Sequence, residues 1–390
     1  MILTPVTSTG QPLGAVNPVT GLPMPTNGAS ASLTFAVVGP LSGPFAQIGQ
    51  QMVNGARAAI NDANIQPSGA LDRSFALVTF DDQNQPIQSA LSAGYATNLS
   101  NVVGVIGHFS GTNTDAALPT YVAAQMPLVV PATSTDVVTA HGYRNVFRLP
   151  TRDSDEGRLT ARYLCKHQKP QSCVVLTKAG AYGETVAQGF AQEMRAARVP
   201  VEAVVRGIDE PAAACVTRAL ASKPDLLFCA GKIEDLGAVF DLVVAGDLEL
   251  RLIASQGFFS AVTTTEHAHS AEGLIVSTSI APVSLVGVDD RIFADFVATY
   301  GLFTPAAGLA YAATQILIAA ARRTGAIDRP SLSRALADGT TYQTIMGDYR
   351  FTPFGDQLDP NLFFYTVRKG EWVYRDSYRP APFAINKGVA

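Results

Sequence analysis

A strand-like apolar run, Leu33 to Val38, empties into Gly39-Pro40-Leu41-Ser42-Gly43-Pro44-Phe45-Ala46-Gln47-Ile48-Gly49, and a helix-like segment follows from Gln50 to Asn64. Glycines let the backbone approach a ligand closely, and the start of the helix offers unpaired N–H groups and a positive dipole end. That chemistry is non-covalent: it suits a carboxylate or carbonyl oxygen, with Phe45 and Ile48 as apolar neighbours. The same loop also occurs as plain structure in α/β proteins. Covalent chemistry has little to build on. The chain has no G-x-S-x-G elbow, no phosphate-binding G-x-x-x-x-G-K-[ST], no G-x-G-x-x-G after a strand and no H-E-x-x-H. His267 and His269 flank an alanine without an evident third metal ligand, which reads as a surface loop. Asp81-Asp82 at a strand end reads as capping and solvated acids. No cofactor and no metal are implied, and an enzyme acting on a small amide or acid is the distant alternative.

The elements that must position these residues alternate along the chain. Short continuous apolar runs (Leu33–Val38, Phe75–Asp81, Val102–Ile106, Leu128–Val130, Cys173–Leu176, Leu226–Cys229, Leu274–Thr278) alternate with amphipathic helices such as Ile87–Leu99, Asp155–His167 and Glu184–Ala196. Continuous rather than alternating apolar strands mark a parallel sheet covered on both faces. The fold class is therefore α/β, with two doubly wound Rossmann-like lobes. A chain of 390 residues, 47% hydrophobic and 15% charged, has enough apolar material for both.

The lobe boundary is placed at Phe147–Asp153, giving lobe I as 32–152 plus 281–348 and lobe II as 153–280 plus 349–382, with a tail at 383–390. Three crossings make a hinge, and a hinge between lobes makes a cleft able to close on a ligand. Residues 1–31, rich in Pro, Gly and Thr, read as a flexible leader. They lack the basic start and continuous apolar middle of a secretory signal, so an export signal is not expected within this chain. The net charge of −4 gives no basic footprint, and nucleic acid is excluded as a partner. Pro305–Ala321 is apolar but interrupted by Tyr311, Thr314 and Gln315, and reads as a buried core helix. Cys165 with Cys173, and Cys215 with Cys229, are candidate disulfides of an oxidising compartment, with four reduced core thiols as the other reading.

Six segments in order carry a resemblance: Ser42–Gly49, Asp81-Asp82, Val105-Ile106-Gly107-His108, Pro131-Ala132-Thr133-Ser134, Phe147-Arg148 with Asp153, and Ala181-Tyr182-Gly183-Glu184. Together they are similar to the branched-chain amino-acid-binding (leucine/isoleucine/valine-binding) proteins, type I periplasmic solute-binding proteins that feed ABC importers. The resemblance covers about Leu33 to Tyr374 and implies a two-lobed clamp of the Venus-flytrap kind, performing no chemistry. It places His108, Phe109, Ser110 and Gly111 at the cleft, where relatives commonly carry a small hydroxyl residue in place of Gly111. It implies that the Ala132 carbonyl, Thr133, and the Ser134 hydroxyl and amide form a polar shell, with helix capping before Asp136 as the alternative. In the second lobe it implies that Tyr182 closes over the ligand. Lys232 stands where many relatives have an aromatic, and it either pairs with an anionic group or is a solvated helix start.

Gln256 stands where amino-acid binders usually have an acid that neutralises the ligand ammonium, and an amide offers only hydrogen bonds. Unless Asp153 supplies that charge, a buried ammonium is disfavoured. The expected ligand is therefore not a simple zwitterion. Phe45, Phe109, Tyr182, Phe258 and Phe259 offer an aromatic lining, of which about two are expected to be plain packing. A carboxylated aromatic, an amide, or a larger apolar molecule such as a lipid or sterol fits that lining. The resulting expectation is a monomeric, periplasmic or otherwise extracytoplasmic carrier that delivers its ligand to a membrane permease, with a ligand sensor presenting its closed form to a receptor as the competing reading.

Overall fold

The computed structural model describes residues 32–65, 73–207, 209–246, 250–282 and 290–380. The leader expected over 1–31 and the tail over 383–390 lie outside them. The chain divides into two compact units, one running to Pro150 and resuming over Val286–Gln357, the other comprising Thr151–Leu285 and the chain from Leu358.

The first unit opens with β1 (Leu33–Gly39), α1 (Ala46–Ile65), β2 (Phe75–Asp81), α2 (Pro86–Asn98), β3 (Val102–Gly107), α3 (Gly111–Ala123), β4 (Leu128–Val130), α4 (Val137–Ala140) and β5 (Val146–Arg148). Its strands form one parallel sheet in the order β2-β1-β3-β4-β5. Every residue of β1 and β3 is buried, as their unbroken apolar runs require of strands covered on both faces.

The second unit carries α5 (Asp153–His167), β6 (Cys173–Lys178), α6 (Ala181–Ala196), β7 (Val201–Arg206), α7 (Ala212–Leu220), β8 (Leu226–Ala230), α8 (Ile233–Ala245), β9 (Arg251–Ala254), α9 (Ala261–Thr265), α10 (Ala268–Ala271) and β10 (Ile275–Thr278). The chain then returns to the first unit with α11 (Asp290–Tyr300), α12 (Pro305–Thr324), α13 (Arg329–Leu336) and the short pair β11 (Tyr342–Thr344) and β12 (Gly347–Tyr349). It ends in the second unit with β13 (Leu362–Arg368) and β14 (Glu371–Tyr378). That unit's sheet runs β14-β13-β10-β9-β8-β6-β7, with the β13–β14 hairpin antiparallel to an otherwise parallel core.

Two sequence expectations change here. Tyr349–Gln357 belongs to the first unit rather than the second. The reason is local: Gly355 accepts a 2.9 Å hydrogen bond from the Arg148 amide at the end of β5, and the Asp356 carboxylate pairs with the buried Arg148 guanidinium. The four cysteines are free thiols rather than disulfides. Cys173 and Cys165 share one core cluster and Cys215 and Cys229 another. The Cys165 thiol lies 3.6 Å from Met194 Sδ, and that of Cys173 lies 3.6 Å from the Pro200 carbonyl. Burial pushes the Cys173 and Cys229 thiols up to about 12, so both are neutral hydrophobes at pH 7.

The apolar segment expected as a core helix is α12. Thr304 caps its start by accepting from the Ala307 amide, and Gly325 ends it with φ 68°. Among the described residues no single helix is long and apolar enough to cross a membrane.

In the second unit α5 and α6 meet backbone to backbone. A Cβ built on Gly157 stands 2.0 Å from the Val186 carbonyl oxygen, and one on Gly189 stands 2.3 Å from that of Ser154. Neither obstacle is a flexible side chain. Gly157→Ala is therefore expected to lower stability by about 2–3 kcal/mol through overpacking. Gly94→Ala in α2, where an added Cβ meets nothing within 4 Å, is the control and should stabilise by about 0.5–1 kcal/mol. Urea midpoints of the two variants decide the matter, and equal midpoints would remove the close-contact explanation.

Candidate functional site

In each parallel sheet the chain leaves one strand to build outward and later returns to build on its other side. Ligands of open α/β sheets bind outside the carboxyl ends of the strands at that reversal. In the first unit the reversal lies between β1 and β3, so the loop of Pro40–Phe45 and the loop of His108–Ser110 flank it. The Phe45 and Phe109 rings lie 5.6 Å apart, and Phe45 is 40% exposed. Ile48 is half-buried in the first turn of α1, its amide donating to the Phe45 carbonyl at 3.0 Å. Ser110 is the N-cap residue of α3 in extended conformation and makes no side-chain cap. The first-turn amides from Gly111 onward thus have the geometry that holds an oxyanion.

Gly111 has a structural explanation. A Cβ at that position would stand 2.6 Å from Thr135 Cγ2, so Thr135 occupies the space that a side chain at position 111 would take.

These loops are stapled by groups that read as solvated in the sequence. Asp81 accepts from the amides of Leu41 and Gln83, both at 2.8 Å, and so ties the first loop to the end of β2. Asp82 is fully buried and its carboxylate contacts His108 Nδ1 at 2.6 Å, while His108 Nε2 contacts the Tyr121 hydroxyl at 3.1 Å. The His108 side chain is therefore a buried brace rather than a ligand contact. Thr133 is buried too, and its hydroxyl donates to the Phe109 carbonyl at 3.2 Å, joining two loops. Ala132 and Ser134 remain half-buried, and Asp136 rather than Ser134 takes the N-cap position of α4. The buried Arg148 guanidinium holds this loop from beneath. It donates to the Ser134 and Thr135 carbonyls and to the Thr139 hydroxyl, besides pairing with Asp356.

In the second unit the reversal lies between β6 and β8, which places Tyr182 at the start of α6 and Lys232 at the start of α8 on either side of it. Lys232 is exposed and is the N-cap residue of α8. Gln256, after β9, is half-buried in a 3-10 turn, and its Oε1 accepts from Ser279 at 3.3 Å. Asp153 is buried in the first turn of α5.

The residue that gathers this cluster is Glu156, which the sequence reading passed over. It is 2% exposed. Its Oε1 accepts from the Gln256 amide at 2.7 Å and the Ser277 hydroxyl at 3.2 Å, and its Oε2 accepts from the Tyr182 hydroxyl at 3.2 Å. The Tyr182 hydroxyl in turn accepts from the Gly257 amide at 3.1 Å. Burial raises the Glu156 carboxyl to about 8, the Gln256 amide opposes that rise, and the negative charge of Asp153 adds to it. Glu156 is therefore mostly protonated at neutral pH. The Tyr182 hydroxyl, expected to bond a ligand, is committed within its own unit, and burial pushes its phenol well above the ordinary range. A neutral acid cannot deprotonate Ser277, which is itself fully buried, so the cluster is not an activated nucleophile.

Phe258 is corrected outright: it is fully buried and packs edge-on against Phe240 at 5.8 Å. Phe259 is half-buried, its ring tilted against those of Tyr365 and Trp372 with centroids 4.6 and 4.9 Å away. His267 pairs with Asp241 at 2.8 Å, and among the described residues no group of His, Cys, Asp and Glu is placed to hold a metal.

A sequence profile described as periplasmic binding protein matches residues 32–371. The chain belongs to the periplasmic binding protein family. A Leu/Ile/Val/Thr-binding protein of Salmonella typhimurium is 28% identical over 331 residues, covering 83% of this chain and 88% of that protein. Two solved members of similar fold are a leucine-binding protein, LivK, of Thermotoga maritima and a solute-binding protein of Rhodopseudomonas palustris HaA2 in complex with p-hydroxybenzoic acid. The first superimposes with a TM-score of 0.74 at 20% identity, covering 89% of this chain and 99% of its own. The second has a TM-score of 0.73 at 18% identity, covering 92% and 100%. In this periplasmic binding protein the two α/β units expected from the sequence are thus the family's two lobes.

Proposed function

We propose that this periplasmic binding protein works outside the cytoplasm, closes its two hinged lobes on a small organic ligand held by the loops at the strand ends, and delivers it unchanged to the permease of an ABC importer. The ligand is a carboxylate without an α-ammonium, an aromatic acid in the first instance. The observation that carries this reading is Gln256 beside a protonated Glu156: neither brings a negative charge, so an ammonium would depend on the buried Asp153 in the first turn of α5 alone, a dependence that the L-leucine arm of the test below reads out. Burying an ammonium without a partner is costly. Three features suit a carboxylate on an aromatic body: the uncapped start of α3, the exposed Lys232, and the Phe45–Phe109 pair. The relative solved with p-hydroxybenzoic acid fits the same chemistry. With Phe258 in the core and Phe259 packed against Tyr365 and Trp372, the wide apolar lining a lipid or sterol needs is reduced.

The test uses protein unfolded, dialysed and refolded to strip any carried solute. Benzoate and 4-hydroxybenzoate should raise its melting temperature, by about 2.7 kcal/mol of added stability at a hundredfold excess over Kd, and should be recovered with unchanged mass. L-leucine should not shift it. Tighter binding of L-leucine than of either acid would overturn the ligand class, and consumption of the acid would overturn the carrier function.

A further inference from the structure

The first unit has a cavity at the opposite end of its sheet from the loops just described. It lies beside Gln125, which precedes β4, and Asn145, which precedes β5, is bordered by one face of α13, and opens to solvent. Its volume is about 580 Å³, within the range of small-molecule sites.

Its lining is not that of a chance surface dent. Arg144 and Arg334 both border it, and neither forms an ion pair among the described residues. The Arg144 guanidinium rests 5.8 Å from the Phe354 ring centroid, and Arg334 donates to the Ser331 hydroxyl at 2.9 Å. The acid within electrostatic reach of Arg334 is Asp328, whose carboxylate is committed to the Ser331 amide and hydroxyl at the start of α13. Asn145 is 9% exposed and held rigidly, its Nδ2 donating to the carbonyls of Tyr121 and Met126 at 3.2 and 2.8 Å. Ser333, also in the lining, is 8% exposed, and its hydroxyl has no hydrogen-bond partner among the described residues. Val122, Ala337 and the prolines Pro330 and Pro353 supply apolar walls.

We propose that this cavity is a second ligand site, which takes a compact organic anion with its carboxylate on Arg144 and Arg334 and its body between the apolar walls. Two arginines without carboxylate partners among the described residues, beside apolar walls around one cavity, are complementary to that chemistry. The site lies wholly within the first unit and does not depend on how the cleft is occupied.

The probe is 4-benzoylbenzoate, a photoreactive carboxylate whose ketone is an acceptor oxygen, irradiated with the full chain and mapped by peptide mass spectrometry. Labelling is expected on peptides spanning Val122–Asn145 or Pro330–Pro353. It should fall at least about fivefold in the double variant Arg144→Gln/Arg334→Gln, since charge-assisted bonds are the stronger ones, and persist in Tyr182→Ala. Both arginines are exposed, so the double variant should fold, which circular dichroism checks. Labelling confined to the loops after β1, β3, β6 and β8, or undiminished in the double variant, would overturn the proposal.

Discussion

Glu156→Gln is expected to raise stability at pH 8.5 and to leave it nearly unchanged at pH 5. The folded carboxyl titrates near 8 and the unfolded one near 4.5. Between those values the folded state holds a proton that the unfolded state has released, so raising the pH favours unfolding. The contribution of this group is fully favourable below about 4.5, declines through the window, and is lost above 8. At about 1.4 kcal/mol per unit, the full span is on the order of 3–5 kcal/mol. Glutamine keeps an oxygen for the Gln256 amide and the Ser277 hydroxyl, and carries no charge to bury. The groups facing Glu156 are Asp153 from its own helix, Tyr182 from α6 and Ser277 from β10, and of these Asp153 supplies the opposing charge. Melting curves of both proteins from pH 4.5 to 9 separate this effect from every other titration. Curves that run parallel would mean that Glu156 is ionised throughout.

Arg148→Ala is expected to be the most damaging single truncation in the first unit. The guanidinium is fully buried, and its removal takes the cation from the Asp356 carboxylate, which keeps the Thr139 hydroxyl at 2.8 Å, and a donor from the Ser134 and Thr135 carbonyls. Breaking such a pair from one side costs about 3–5 kcal/mol. Because Arg148 fixes the backbone on which Ala132 and Ser134 lie, affinity for benzoate should fall alongside stability. Lysine should rescue little, since a single ammonium cannot reproduce the planar fork. Urea unfolding at pH 7 measures the loss, and a value below about 1 kcal/mol would place this arginine with ordinary surface pairs.

The two effects differ in how visible they were in the chain. Strands were legible wherever burial on both faces left an unbroken apolar run: Leu128–Val130 is β4 as read, and Val102–Ile106 falls one residue short of β3. The site loops were legible because glycine, serine and threonine cluster where strands end. What the sequence hid was pairing at a distance. Arg148 meets Asp356 208 residues later, and His108 meets Asp82 26 residues earlier. Without those partners, His108 reads as a polar residue at a strand end and Asp82 as a solvated acid. Glu156 was hidden by its setting, since Asp155-Glu156 in a first helical turn is the ordinary pattern of acids favoured by the dipole. Only the approach of α5 to the turn at Gln256 makes it a buried group. Phe258 and Phe259 are adjacent aromatics after a strand, and nothing in their spacing tells which ring turns inward.

The Thr135 methyl beside Gly111 also bears on how selectivity in this lineage is able to change. Gly111→Ser made while threonine stands at 135 brings two carbons to 2.6 Å, whereas the same change made after Thr135→Gly leaves the Thr133 methyl, at 3.7 Å, as the nearest neighbour. The two substitutions are therefore ordered: one path passes through a crowded intermediate and the other does not. A library that varies positions singly would sample Gly111→Ser only in its crowded setting, and only the pair presents an uncrowded hydroxyl in the first turn of α3.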